Sequence, residues 1–255
     1  SPQIWAWNEG RIKKIHKYIN KMLVIFPFEE SYYRDRGVDA TYIGHPFLDK
    51  WIAHDKNNIK KELGFNNNQT LVGIFPGSRA EEIVHHLPIY IRAYHQIRKK
   101  DPDIKFVLGL APSIDLETIK ANYNTGDIQI IENNSLKLLE CVDAAIVTSG
   151  TISLQAAFML TPCVVGYKLS KISWFISQFL VKIKFIAMAN IIANKMIYKE
   201  LLQNELNAQN IGNEIKHIID NKEYTDKMSK ELSAIKNEFL IKSNAIENAS
   251  QIIYD

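Results

Sequence analysis

Short, continuous apolar runs alternate with longer stretches of helical period. This rhythm constrains the fold more than any other feature of the 255-residue sequence. The runs are Lys21–Phe26 (KMLVIF), Ala40–Gly44 (ATYIG), Thr70–Phe75 (TLVGIF), Lys105–Leu110 (KFVLGL), Ile128–Ile131 (IQII), Ala144–Ser149 (AAIVTS) and Cys163–Tyr167 (CVVGY). Strands that are apolar on both faces need cover on both faces, the condition of a parallel sheet flanked by helices. The helical stretches Glu9–Ile19, Glu29–Arg36, Ala80–Lys99, Ile114–Tyr123, Ser135–Cys141 and Thr151–Met159 supply that cover through right-handed crossovers. The expected class is therefore α/β with a parallel sheet. Pro88 lies inside the longest helical stretch and is expected to split or kink it, because its ring clashes with the preceding turn.

The polar, asparagine-rich segment Asp55–Gln69 (DKNNIKKELGFNNNQ) reads as a linker carrying one short helix that ends at Gly64. It divides the chain into residues 1–54, a sheet domain over 70–221, and a lysine- and glutamate-rich helical segment over 222–255. A net charge of +3 implies no nucleic-acid partner. Cys141 and Cys163 form neither a Cys-x-x-Cys nor a zinc spacing, so they read as buried, reduced thiols of a cytoplasmic protein. The chain opens at Ser1-Pro2 with no basic-then-apolar leader, so no signal peptide is expected, and the abrupt start reads as that of a fragment.

Two turns could carry chemistry. In FPGSRAEEI, Pro76-Gly77 turns the chain at the carboxyl end of a strand, Ser78 and Arg79 follow, and Glu81 and Glu82 open a helix. Free N–H groups and the helix dipole there favour an anion, and Arg79 adds a planar donor fork. A plain strand–helix turn whose arginine pairs with a glutamate accounts for the same residues, and both readings stay open. The ending Gly-Lys-Ser/Thr of a Walker loop is absent. In TSGTISLQAA (Thr148–Ala157), Gly150 permits close approach of the backbone, Ser149 and Thr151 offer hydroxyls, and Gln155 lies about one turn along the same face. Simple N-capping is the competing reading. Two such turns in one half-sheet favour a diphosphate.

Ser173–Ile192 (SWFISQFLVKIKFIAMANII) is unusually apolar. As a spanning helix it would place Lys182 and Lys184 near its centre at a cost of about 2.5–3.5 kcal/mol each. A helix exposing Trp174, Phe175 and Phe179, flanked by Lys168, Lys171, Lys182 and Lys184, suits docking on an anionic membrane surface. A buried helix or a subunit interface is the alternative. Asp101-Pro102-Asp103 has the form of a metal motif but reads as a solvated turn. His85-His86 lack a third ligand at a sensible spacing and are expected to face solvent, so no metal site is expected. The tryptophans of SPQIWAW read as a core anchor or a cleft wall, and GHPFLD (Gly44–Asp49) as a turn or a cleft loop.

Taken together, SPQIWAW, FPFEESYY, YIGHPFLD, FPGSRAEEI, TSGTISLQAA and the run from VGYKLS to KELLQ occur in an order that resembles the lipid-A-disaccharide synthases. The likeness covers Ser1 to about Gln203. It implies the GT-B fold, with two Rossmann-like domains, and an inverting, metal-independent transfer without a cofactor. The implied donor is UDP-2,3-diacylglucosamine and the implied acceptor the 6-hydroxyl of 2,3-diacylglucosamine 1-phosphate (lipid X), at the cytoplasmic face of the inner membrane. A homodimer is compatible with the resemblance. By motif, Gly77, Ser78 and Arg79 are expected at the UDP diphosphate, with Arg79 stabilising the leaving group, and Ser149, Gly150 and Thr151 at the same phosphates. Gln155 stands where the family usually has a glutamate that holds the ribose. Glutamine keeps the hydrogen bond but not the charge, so weaker donor binding stays open. Asn190, Glu200 and Gln203 also match and are expected near the donor. The resemblance further implies that roughly the first 125 residues of the pattern, a domain-sized piece that includes the general base, have no counterpart here. A UDP-sugar 2-epimerase, which shares the fold, and a non-catalytic UDP-binding or membrane-docking fragment are the rival expectations.

Overall fold

The structure, a computed structural model, describes residues 1–170 and 184–254, apart from the side chain of Trp7. The chain forms two compact units. Ser1–Ile52 and Ala234–Asp255 belong to the first, Ala53–Leu169 and Phe185–Ser233 to the second.

In the first unit, β1 (Met22–Val24) and β2 (Ala40–Tyr42) pair in parallel, with Met22 opposite Ala40 and Val24 opposite Tyr42. The Pro27–Arg34 helix connects them. Its proline sits in the first turn, where the missing N–H has no intrahelical acceptor to lose. Ile4, Ile15, Val24, Tyr33, Val38 and Ala40 form the core of this unit. Trp5 takes the anchoring role: its ring meets Phe28 edge-on at 5.1 Å, and its Nε1 donates to the buried Glu29 at 3.0 Å. The GHPFLD turn is structural as well. Asp49 accepts from the N–H groups of Asn244 and Ala245 at 2.8 and 2.6 Å and so caps the Ala245–Tyr254 helix. Gly44, at φ +97°, passes so close to the Lys242 carbonyl that a Cβ would stand 2.5 Å from it. These contacts draw the last part of the helical tail into the first unit.

The second unit holds a six-stranded sheet in the order β5-β4-β3-β6-β7-β8, parallel throughout. Its strands are β3 (Leu71–Phe75), β4 (Lys105–Leu110), β5 (Gln129–Glu132), β6 (Ala144–Thr148), β7 (Cys163–Tyr167) and β8 (Lys199–Leu202). The central strands are buried along their whole length, as continuous apolar runs require. β8 has no counterpart among the expected strands, because its sequence, KELL, has no strand-like apolar run. Cover comes from the Ala80–Lys100 helix and from Ala208–Asp220, which packs on it and on β6 and β7 through Ala208, Ile211, Ile215 and Ile218.

Two expectations are corrected. Pro88 does not split its helix, which runs unbroken over Ala80–Lys100. The carbonyl that loses its partner belongs to Val84, on the exposed face, where water can replace the bond. Asp55–Gln69 is not a free linker. The expected helix is present as Lys56–Glu62 and ends at Gly64 in the left-handed region, φ +83°, but it packs on the Ser135–Cys141 helix. The charges that look solvated in sequence are neutralised from afar: Lys56 and Lys60 each reach Asp143 at 2.8 Å, and Lys60 is 2% exposed.

Candidate functional site

The chain adds β4 and then β5 on one side of β3, and afterwards places β6, β7 and β8 on the other. The direction of winding therefore reverses between β3 and β6, which pair in register from Val72–Ala144 to Phe75–Val147. At such a reversal the loops leaving the two strands diverge and open a crevice at the carboxyl edge, where ligands of open α/β sheets bind. The loops here are Pro76–Arg79 and Ser149–Gly150, the two turns singled out in the sequence.

The two turns differ in how their donors are used. After β3, Glu82 folds back over the loop. Its Oε2 accepts from Ser78 N at 2.8 Å and Arg79 N at 3.3 Å, and its Oε1 meets Arg79 Nη1 at 3.3 Å. Gly77 makes room for this at φ +120°, since a Cβ there would stand 2.4 Å from Oε2. The Arg79 side chain nevertheless remains 79% exposed. Ser113 Oγ donates to the Ser78 carbonyl at 2.6 Å and braces the loop from the end of β4.

After β6 the helix Thr151–Phe158 starts without a side-chain cap. The N–H groups of Thr151 and Ile152 have no intrahelical acceptor, while that of Ser153 bonds the Gly150 carbonyl at 3.2 Å. Gly150 is exposed, takes φ +142°, and a Cβ there would meet nothing within 4 Å, so the approach to those N–H groups is open. Thr151 is exposed. Gln155 is half-buried and makes no side-chain hydrogen bond among the described residues.

Ser149 faces the other way. Its N–H bonds Gly166 O at 3.1 Å and its Oγ donates to Ile186 O at 2.9 Å. Behind it, Glu200 accepts from Ile186 N and Ala187 N at 3.0 and 2.9 Å and from Asn190 Nδ2 at 2.8 Å. Asn190 Nδ2 also reaches Tyr198 O, and its Oδ1 accepts from Ile197 N and Tyr198 N. The amide of Asn190 is thus fully committed, so Asn190 and Glu200 hold the turn from behind. Gln203 closes β8 in the left-handed region, φ +50°, with its N–H on Tyr167 O and its Nε2 buried without a hydrogen-bond partner among the described residues.

His86 corrects the sequence expectation: it is buried under the crevice rather than facing solvent. Its Nε2 accepts from Lys168 N at 2.9 Å, and its ring stacks on Tyr167 at 5.7 Å and Tyr90 at 6.0 Å. Burial pushes its pKa down to about 4, against the pull of the Pro76 carbonyl, so the ring is neutral. A signal was present. His86 falls in the series Ile83, His86, Tyr90, Tyr94, Ile97, which is the buried face of its helix. In the turn expected to be solvated, Pro102 and Asp103 are exposed, whereas Asp101 is half-buried and pairs with Lys216 at 3.1 Å. Trp174, Phe175, Phe179 and Lys182 lie outside the described residues.

A family model described as lipid-A-disaccharide synthetase matches residues 1–253. The lipid-A-disaccharide synthase of Anaeromyxobacter sp. is 37% identical over 222 residues, covering 86% of this chain and 58% of that protein. That of Coxiella burnetii is 32% identical over 256 residues, covering 100% of this chain and 68% of that protein. The chain therefore spans about three-fifths to two-thirds of the length of these relatives. Among solved structures, a UDP-GlcNAc 2-epimerase from Neisseria meningitidis superposes with a TM-score of 0.62 at 14% identity, over 100% of this chain and 67% of that one. WaaG, a glycosyltransferase involved in lipopolysaccharide biosynthesis, gives 0.56 at 11%, over 91% and 62%. Identities this low show the fold alone, and the α/β, GT-B type architecture stands.

Proposed function

Because this chain belongs to the lipid-A-disaccharide synthetase family, we propose that it carries the donor side of a glycosyltransferase reaction. The donor is UDP-2,3-diacylglucosamine and the acceptor is 2,3-diacylglucosamine 1-phosphate. The acceptor's 6-oxygen attacks C1 of the donor sugar, and the bond from C1 to the β-phosphate oxygen breaks. UDP leaves with the electron pair, and the β-1,6 disaccharide forms with inversion. The hydroxyl proton passes to a base that is none of the residues assigned here. Negative charge grows on the departing diphosphate, so fixed donors aimed at it lower the barrier. Arg79 is the side-chain donor in this reading, the N–H groups of the Gly150–Thr151 turn are the backbone donors, and Gln155 lies one turn along for the ribose. Both substrates are lipids, which supports action at a membrane surface. Among the described residues no helix is long and apolar enough to cross a membrane.

The observation that carries this reading is the open, uncapped turn at Gly150 beside an exposed arginine at the reversal of the sheet. Titration of UDP into wild type and Gly150→Ala tests it. Alanine meets no atom there but is strained at φ +142°, so the variant shifts the turn as well as placing a methyl in the approach to the N–H groups, and affinity should fall by about tenfold or more, on the order of 1.4 kcal/mol. Unchanged affinity would remove the phosphates from this turn. Product analysis separates the chemistry. Disaccharide and UDP support the transfer, whereas a C2-inverted UDP-sugar without disaccharide would point to an epimerase.

A further inference from the structure

We propose that Glu82 is an internal stand-in for the ligand's phosphate: it holds Arg79 in the unliganded protein and yields it when a diphosphate arrives. The inference rests on the UDP reading above and assigns Glu82 as a positioning residue that acts through Arg79. Three observations carry it. The first is the shape of the loop. Gly77, at φ +120°, leaves a space that a Cβ would fill, and the Glu82 carboxylate occupies it. The second is the donor set. Two consecutive backbone N–H groups and a guanidinium converge on one carboxylate, and donors of those kinds bind phosphate at helix N-termini.

The third is an asymmetry between the two oxygens. Oε2 is held by Ser78 N at 2.8 Å within a side chain only 17% exposed. Oε1 holds Arg79 by one 3.3 Å contact to a side chain that is 79% exposed. The backbone cap is therefore firm and the ion pair loose, since exposed pairs of this kind contribute little. A simple cap requires only the N–H bonds. The added contact to Arg79 neutralises the one cation of the loop. It also keeps the guanidinium at the carboxyl end of β3, next to the uncapped turn after β6. On binding, Arg79 exchanges one oxyanion for another and Glu82 goes on capping the loop.

UDP titrated into wild type, Glu82→Gln, Arg79→Ala and the double variant tests the exchange. Glutamine keeps an acceptor oxygen for the N–H groups and removes the charge that competes for Arg79. UDP should bind about two- to fivefold tighter to Glu82→Gln, the fold-change expected for an exposed ion pair. The gain should vanish in the Arg79→Ala background. Unchanged or weaker binding would reduce Glu82 to a structural cap and overturn the exchange, as would a gain that persists without Arg79. Should glutamine loosen the cap, Glu82→Asp gives the second measurement. It keeps the negative charge beside Arg79, so the gain seen with glutamine should be smaller or absent, and an equal gain would overturn the exchange. Failure of wild type to bind UDP would instead sink the nucleotide reading itself, and this inference with it.

Discussion

Asn190 Nδ2 donates to Glu200 Oε1 at 2.8 Å, and this buried pair fixes the backbone against which Ser149 is braced. Glu200 takes the N–H groups of Ile186 and Ala187, and the Ile186 carbonyl takes the Ser149 hydroxyl. Asn190→Ala leaves the N–H groups of Ile197 and Tyr198 without their acceptor and removes a donor from Glu200. Unmet buried groups cost about 1–3 kcal/mol each, so a loss of about 2–4 kcal/mol is expected in urea unfolding. UDP affinity should fall with it, since the brace behind Gly150 loosens. A normal unfolding midpoint with normal UDP binding would show that the network does not support the turn.

Arg79 behaves in the opposite way. Its side chain is exposed and its one ion pair is weak, so Arg79→Ala should change unfolding free energy by no more than about 0.5 kcal/mol. UDP binding should nonetheless weaken by more than about tenfold, and turnover in the full-length enzyme should nearly vanish. Arg79→Lys should recover only part, because a lysine offers a point charge in place of a planar fork. Near-normal turnover for the alanine variant would return this loop to a structural strand–helix turn.

Asp143 ties the polar segment after Ala53 to the sheet. It accepts from Lys56, Lys60 and the Leu71 N–H, each at 2.8 Å. Burial pushes its carboxyl up, but the Lys56 charge and these hydrogen bonds outweigh burial and hold it below the usual carboxylate range. Its contribution to stability is therefore present above the unfolded-state pKa and is lost as pH falls through the folded one. Asp143→Ala strands the charge of Lys60, which is 2% exposed, and should cost about 3–5 kcal/mol. Lys61→Ala, at an exposed position on the same helix, should cost almost nothing, and thermal unfolding of the two variants checks the contrast.

Local pattern carried the sequence reading as far as local pattern reaches. Seven strands and both turns at the sheet reversal were legible, because buried parallel strands are continuous apolar runs and each turn follows one directly. The sheet order was not, since nothing within β3 or β6 says that they pair. β8 escaped because its run is short and begins with two charges. The polar segment from Asp55 looked like a linker because the residue that neutralises its lysines, Asp143, is more than eighty positions away. Asn190 and Glu200 were matched to the donor side by resemblance, but their place behind Ser149 depends on a fold-back of the chain that motif order does not contain.

His86 sets a pH dependence that can be isolated. Its pKa is pushed down to about 4 by burial, while in the unfolded chain it titrates near 6.5. Between those values the unfolded state binds the extra proton, so stability is fully present above about pH 6.5 and is lost as pH falls toward 4. A depression of this size corresponds to a loss on the order of 3 kcal/mol across that window. His45 is likewise pushed down to about 4 by burial, against the opposing charge of Asp49, so wild type should lose stability from both rings. His86→Gln places an amide oxygen where Nε2 now accepts from the Lys168 N–H, keeping that bond without a titrating ring. Urea unfolding followed from pH 7 to pH 4 should show about half the wild-type slope in this variant. A slope equal to that of wild type would mean that His86 is not held neutral beneath the crevice.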